Sequence, residues 1–582
     1  MTEEQLQNTR HSLAHLLGAA VMELYPDAQL TLGPAIEDGF YYDVAFASSL
    51  SSDELPKIEA KMKSILPTWK TVTHKELSKE DALAYYKGND FKTELINEIA
   101  ERGEKITLYT MGEFVDLCRG GHTNDLSVVD PDSFKLDRIA GAYWRGSEKN
   151  PMLTRIYGLA FENKEKLVDF LTMREEAEKR DHRKIGQEQK LFFVDDIVGK
   201  GLIMWQPNGT IIRDEVEKLA KEKEAEQEYV RVVTPHLAKE ELFITSGHLP
   251  YYKDSMYPEM VMDDGTYYLK AMNCPHHHIM YRHERHSYRD LPIRFAEYGT
   301  VYRNELSGTL AGLLRVRCLA MNDAHIYCRK DQIEEEFEKA LRLTMDYFEI
   351  FGFTDYWFRL SKWSPAHTDK YIDEPANWEY TEGVIRGILD RVGVKYIEVE
   401  DEAAFYGPKV DIQLKSVIGR TETMSTVQLD FAAKKRFGLI YTDNEGKENN
   451  EVFVIHRAPL STHERFVAFL IEHYAGIWPV WLSPVQVAVL PVGEMHEAYG
   501  KEIHTELKKA GIRAELWTTD GLGKRIRKAK VEKVPYQIVI GDKERDAKTV
   551  TVEGRHDLKL EQIALEAFIT RITDEIKNRK DQ

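Results

Sequence analysis

The sequence predicts an α+β protein of several domains, and three observations carry that prediction. At 582 residues the chain exceeds the roughly 250–300 residues at which a single core stops growing. Residues 191–482 set many short strand-like alternations among helical segments, the pattern of an antiparallel sheet with packed helices. Residues 483–582 alternate strand and helix more evenly, which predicts a small α/β unit.

Composition bounds the function classes. The chain is 42% hydrophobic and 30% charged, with a formal net charge of −18. An acidic balance does not exclude a nucleic-acid partner, because binding depends on a local basic surface. Four cysteines, at 118, 274, 318 and 328, are too few and too scattered for a disulfide framework and point to a reducing compartment. There is no charged-then-apolar leader and no apolar run long enough to span a membrane. The reading is a cytosolic protein without a membrane partner.

Residues 1–160 read as an amino-terminal α+β domain. Its first helix is expected to start near Asn8 or Thr9, either of which could cap it. His11 and His15 then fall four apart on one helix face. The aromatic run Gly39-Phe40-Tyr41-Tyr42-Asp43 reads as a strand, and Cys118 and His122 form a second polar pair four apart. Three imidazoles and a thiol could hold a metal, or could bind a nucleotide end and position water without one. Residues 161–190, of mixed charge, read as one exposed linker helix.

Residues 191–482 form the largest unit. A turn at 205–209 is expected ahead of a helix over 210–227, with strands at 230–235 and 266–273, alternations at 295–298 and 299–303, and further strands near 396–400, 410–414, 426–431 and 452–455. A helix over 462–475 closes the unit. Neither a Walker glycine loop nor a Gly-x-Gly-x-x-Gly turn occurs. Phosphate binding would then fall to arginines, whose guanidiniums grip phosphate in bidentate fashion and stay charged; Arg303, Arg315 and Arg465 are the candidates. Glu305, two residues from Arg303, is placed on the same strand face, where it could accept from an adenine amino group or help hold magnesium. Cys274, His325 and His456 would leave the fourth position of a tetrahedral zinc site open, although spacing alone does not exclude ordinary buried residues. In the last hundred residues, Lys524-Arg525-Ile526-Arg527-Lys528-Ala529-Lys530 supplies a basic surface.

Together, Arg303-Asn304-Glu305, Arg315–Arg317, Asp323-Ala324-His325, Tyr406-Gly407-Pro408-Lys409, Gln428-Leu429-Asp430 and His456-Arg457-Ala458 resemble the threonyl-tRNA synthetases, a class II aminoacyl-tRNA synthetase family. The likeness runs over essentially the whole chain, and the His11/His15 and Cys118/His122 pairs are similar to the family's two editing signatures. The resemblance implies an editing domain at 1–160, a linker at 161–190, a class II catalytic domain at 191–482 and an anticodon-binding domain at 483–582. It implies one zinc per subunit on Cys274, His325 and His456, and Mg²⁺ with ATP at Arg303, Glu305, Arg315 and Arg465. It implies amino-acid pocket roles for Asp323, Lys409 and Gln428, and a deacylation pocket of His11, His15, Cys118 and His122 supported by Asp116 and Lys135. The implied activity is ATP-dependent joining of L-threonine to tRNA(Thr) through threonyl-adenylate, with hydrolysis of Ser-tRNA(Thr), by a cytosolic homodimer of a form without the amino-terminal ubiquitin-like domain.

Some positions depart from the family pattern. Met321 replaces a common pocket glutamine, and Ser461 replaces a glycine near Arg465. Gly121 stands where proline usually precedes the editing histidine, and Glu422-Thr423 replaces a frequent Trp-Gln pair.

Overall fold

The computed structural model describes residues 1–48, 50–367, 370–416, 419, 421–555 and 557–579, the side chain at 251 apart. The chain divides into two compact units, Met1–Glu175 and Glu176–Gln582.

In the first unit, α1 (Glu3–Leu24) starts earlier than expected. Thr2 accepts from the Gln5 N–H while the Gln5 side chain accepts from the Thr2 N–H, a capping box that outcompetes Asn8 and Thr9. Thr9 instead lies within the helix and donates to the Gln5 carbonyl. The aromatic run forms β1 (Gly39–Ala45), as expected. Then follow α2 (Asp90–Glu101), β2 (Ile106–Met111), β3 (Phe114–Leu117), β4 (Phe134–Tyr143) and β5 (Met152–Ala160). β5 lies between β1 and β4, antiparallel to both, and β3 pairs antiparallel with β2. The buried face of α1, including Leu13, Leu16 and Leu17, joins Phe40, Tyr42 and Ile156 in one core.

Residues 161–190 are not one solvated helix. α3 (Lys164–Lys179) ends before Asp181, whose carboxylate accepts from the Arg183 N–H at 2.8 Å and starts α4 (His182–Glu188). α4 buries His182 and Ile185, and His182 Nδ1 lies 2.8 Å from the Glu472 carboxylate. Mixed charge along this stretch conceals that packed turn.

In the second unit, α5 (Pro207–Glu226) begins inside the expected turn, with proline in its first position, where no N–H is needed. β6 (Val230–Arg231) stops short of 235, because the Thr234 N–H donates to the Glu297 carboxylate rather than to a strand. β7 (Gly265–Leu269) ends before 273, and Cys274 opens α6 (Cys274–His283). The two alternations at 295–303 are one strand, β8 (Ile293–Tyr302). The other elements that shape the main sheet are β9 (Cys318–Arg329), α7 (Ile333–Phe351), β10 (Tyr356–Ser361), α8 (Pro375–Val392), β11 (Tyr396–Val399), β12 (Lys409–Lys415), β13 (Thr421–Asp430), β14 (Val452–Ala458) and α9 (His463–Tyr474). The sheet has eight strands in the order β6-β8-β9-β14-β13-β12-β10-β11.

Because side chains alternate across a strand, register decides which face each residue serves. Ala324, Arg457, Val427 and Val410 are successive cross-strand partners. All but Arg457 belong to the core shared with Phe337 and Leu341 of α7 and Ile385 and Leu389 of α8. The intervening residues therefore face the other way.

The last segment contains β15 (Val487–Pro491), α10 (Glu497–Lys509), β16 (Ala514–Leu516), α11 (Leu522–Val531), β17 (Tyr536–Ile540), β18 (Val550–Gly554), β19 (Lys559–Ile563) and α12 (Leu565–Asn578). The sheet order is β16-β15-β17-β18-β19. Its first three strands are parallel and the last two antiparallel additions. Among the described residues, no helix is long and apolar enough to cross a membrane.

Arg457 is fully enclosed and donates to Glu224 of α5 at 2.8 Å, while the Asn322 amide donates to the same carboxylate oxygen at 2.7 Å. Removing one side of such a pair strands the other charge. Glu224→Ala should therefore cost about 3–5 kcal/mol in chemical denaturation. Replacing both Arg457 and Glu224 by apolar residues of similar volume should cost much less.

Candidate catalytic and hydrolytic sites

On the sheet face away from α7 and α8, one row of directly opposed residues runs Phe295, His325, His456, Gln428, Lys409. Asp323 lies two residues before His325 on β9 and shares its face. Cys274, at the start of α6, completes a trio with His325 and His456 whose ligand atoms all lie within 4.8 Å of one another. Each imidazole is engaged at one nitrogen: His325 Nδ1 lies 2.7 Å from His277 Nδ1, and His456 Nε2 lies 3.1 Å from Asp430 Oδ2. The other nitrogen of each remains for a ligand. Burial drives the His325 pKa well below its ordinary value, which keeps the ring neutral. Burial, with Asp323 and Asp430 nearby, drives the Cys274 thiol well up, so a cation would be needed to draw off its proton. A thiol and two oriented imidazoles fit zinc. His278, Asp430 and His456 form a second close trio, but Asp430 Oδ1 is already taken by the Ala432 and Ala433 N–H groups.

Tyr406 stacks on His456 with ring centroids 5.2 Å apart and donates to the Gln428 side chain. This close approach requires glycine next to it: a Cβ at Gly407 would sit 1.8 Å from the Leu429 carbonyl. Asn273 donates to Asp323 at 3.0 Å, and burial pushes the Asp323 carboxyl up. Lys409 is held 3.0 Å from Asp411, which also takes Arg359.

Arg303 and Glu305 do not share a strand face, since β8 ends at Tyr302 and both lie in the following loop. The loop still brings them together with Arg315, Gln428 and Arg465 around a cavity of 270 Å³. Glu305 Oε2 lies 3.5 Å from Arg315 Nε, and Arg465 Nε donates to the Leu314 carbonyl at 3.2 Å. Met321 lines this cavity too. Ser461 adopts φ +51°, the left-handed region that favours glycine.

In the first unit, His11, His15, Cys118 and His122 converge with ligand atoms within 4.8 Å of one another. Cys118 Sγ lies 3.2 Å from His122 Nε2 and 3.5 Å from His11 Nε2. The cluster opens onto a cavity of 390 Å³ also lined by Asp116 and Lys92. Asp116 is buried, lies 3.2 Å from His15 Nδ1, and accepts from Tyr42 and from Lys92, the latter at 2.5 Å. Burial alone would lower the His15 pKa, but hydrogen bonds to Asp116 and Cys118 raise it to about 9. Burial would likewise raise Cys118, yet the His11, His122 and His15 imidazoles bring it down to about 3. Gly121 sits at φ +82°, which the ring of proline forbids.

The structure does not bring Lys135 into this cluster. It lies exposed on β4, opposite Leu159, and the lysine that reaches Asp116 is Lys92. Lys92 was detectable in principle, because it stands four residues before Ile96 on the buried face of α2. Tyr42 gave no such signal, since an aromatic strand residue reads as core.

Residues 106–157 match the threonyl and alanyl tRNA synthetase second additional domain. Residues 259–474 match the tRNA synthetase class II core domain (G, H, P, S and T), and residues 486–575 the anticodon binding domain. The threonine–tRNA ligase of Anoxybacillus flavithermus is 47% identical over 578 residues, covering 99% of this chain and 89% of that protein. Threonine–tRNA ligase 1 of Bacillus subtilis is 46% identical over 580 residues, covering 99% of this chain and 90% of its own length. The chain belongs to the threonine–tRNA ligase family. A solved structure of the RNA binding domain of threonyl-tRNA synthetase from Cryptosporidium parvum superposes with a TM-score of 0.65 at 34% identity, covering 68% of this chain and 98% of that one. Both sites thus occur in a threonine–tRNA ligase framework, the thiol–imidazole trio within the class II core match and Cys118 and His122 within the second additional domain.

A thiol at about 3 is a thiolate throughout the neutral range. Alkylation of Cys118 by iodoacetamide should therefore stay level between about pH 5 and 8, where an ordinary thiol near 8.5 speeds up about tenfold per pH unit. A rate climbing with pH would contradict the ion cluster.

Proposed function

We propose that the chain joins L-threonine to tRNA(Thr) with ATP through threonyl-adenylate, and removes serine from mischarged tRNA at a separate hydrolytic site. The observation that carries this reading is the cross-strand row of His325, His456, Gln428 and Lys409 beside the arginine-lined cavity. Residues 191–482 serve activation, 1–160 editing and 483–582 anticodon binding, with 161–190 connecting them. The basic stretch from Lys524 to Lys530 suits contact with the tRNA backbone. The enzyme works as a cytosolic homodimer.

In activation the threonine carboxylate attacks the α-phosphorus of ATP and pyrophosphate leaves. Charge gathers on phosphoryl oxygens, and Arg303, Arg315 and Arg465 stabilise it by fixed orientation; Mg²⁺ bound with ATP would supply further positive charge there. Glu305 restrains Arg315 at the cavity rim. Cys274, His325 and His456 would hold one zinc per subunit, which supplies a Lewis acid able to engage the amine and hydroxyl of threonine together. Asp323 and Gln428 line the amino-acid side of the pocket, and Lys409 neutralises the buried Asp411 beneath the row.

Selection explains why two sites are needed. A hydrophobic pocket hardly separates threonine from its isostere valine, whereas a site that engages the hydroxyl rejects valine by about 10⁴–10⁵. Serine keeps both amine and hydroxyl, and losing one methyl is worth only about 1–3 kcal/mol. The remedy is hydrolysis after transfer. There the Cys118 thiolate and protonated His15 create a polar pocket, Asp116 fixes His15, and Lys92 balances Asp116.

ATP–pyrophosphate exchange on zinc-replete protein should be strong with threonine, weaker with serine and about 10⁴-fold lower with valine. No exchange with any of these amino acids would refute the ligase reading. His11→Ala combined with Cys118→Ala should leave threonine charging intact while Ser-tRNA accumulates. Clearance of Ser-tRNA at the parental rate would remove the cluster from editing.

A further inference from the structure

The zinc trio does not end at its three ligands. His277 lies on α6, three residues after Cys274, and is completely enclosed. Its Nδ1 lies 2.7 Å from His325 Nδ1, and its Nε2 lies 3.0 Å from Glu297 Oε2. Glu297 is itself buried and accepts from the Thr234 N–H at 2.9 Å, the Thr234 hydroxyl at 2.9 Å and Lys270 Nζ at 3.4 Å. Lys270 also donates to the Thr234 hydroxyl at 3.0 Å. Glu297 and Asp323 are cross-strand partners, as are Phe295 and His325, so the sheet holds both ends of the chain of contacts.

Proton direction along this chain is determined by its acceptor end. A carboxylate only accepts, so His277 must donate from Nε2. With that proton alone, as the neutral ring, His277 presents a lone pair at Nδ1, the form that a metal on His325 Nε2 requires. His325 must then donate from its own Nδ1, which leaves His325 Nε2 with the lone pair. The reverse arrangement would put the His325 proton on Nε2 and deny that nitrogen to a metal. We infer that His277 and Glu297 form a positioning relay that fixes His325 in its metal-binding tautomer. This rests on the proposed zinc centre and adds two positioning residues to it. Outer-shell partners of metal-bound imidazoles commonly carry about 10–100-fold in metal affinity.

Glu297→Gln tests the relay with almost no change of shape. Its amide can donate to His277 Nε2, which would shift the His277 proton to Nδ1 and reverse the chain of donors. In the full-length protein, chelator competition should show zinc binding weakened by about 10–100-fold. The absorption bands of the cobalt-substituted protein should shift, and KM for threonine should rise while KM for ATP stays level. His277→Leu should behave likewise, and His277→Asn, which restores an acceptor facing His325, should recover most of the affinity. Parental zinc affinity and cobalt spectrum in folded Glu297→Gln would overturn the relay. If Glu297→Gln does not fold, equal zinc affinity in His277→Leu and His277→Asn would overturn it instead. A parent protein that takes up no zinc or cobalt would overturn the metal centre itself, a distinct failure.

Discussion

Strand register is the constraint on which the catalytic unit depends. Five side chains from β8, β9, β14, β13 and β12 stand opposite one another in a single row, and three of them, His325, His456 and Gln428, converge at the proposed threonine pocket. A one-residue slip of β14 would turn His456 into the core and bring Arg457 to the pocket face. The opposite face guards against this. Arg457 has a buried carboxylate waiting at Glu224, and Ile455 lies among the core aliphatics. The helices behind the sheet thus determine which residues can meet a substrate in front of it.

That arrangement explains what could be read from sequence and what could not. Period-two alternation made several strands legible, whereas the Cys274, His325 and His456 trio came from the family resemblance, because the spacing of a thiol and two imidazoles far apart in sequence does not by itself separate ligands from ordinary buried residues. Boundaries were less legible where a local device intervened. The Thr2–Gln5 capping box moved the start of the first helix, Asp181 broke the linker in two, and the Thr234 N–H left the strand for Glu297. The resemblance gives Asp116 and Lys135 only as two supporting positions of the pocket, and Lys135 lies exposed on its strand. Lys92 is the lysine that reaches Asp116, because a helix distant in sequence carries it there.

Both sites use buried charge in the same manner. Asp116 lies beneath the proposed hydrolytic cluster, contacted by His15, Lys92 and Tyr42; Glu297 lies beneath the proposed metal trio, contacted by His277, Lys270 and Thr234. Neither carboxylate gains much for stability, since desolvation offsets most of the Coulombic attraction. What each gains is direction. Asp116 lies 3.2 Å from His15 Nδ1 and helps to keep it charged next to a thiolate, whereas Glu297 accepts from His277 and orders the protons along two imidazoles.

The chemistry explains why direction outweighs stability here. In the proposed zinc centre, discriminating hydroxyl from methyl needs a lone pair presented to the metal at one nitrogen, and a ring in the wrong tautomer offers a proton instead. In the proposed editing pocket, a protonated His15 and the Cys118 thiolate hold opposite charges side by side. Surface residues exchanging protons with water could fix neither state. Buried carboxylates, already engaged by several donors, can fix both, which is why each is set in the framework beneath its site.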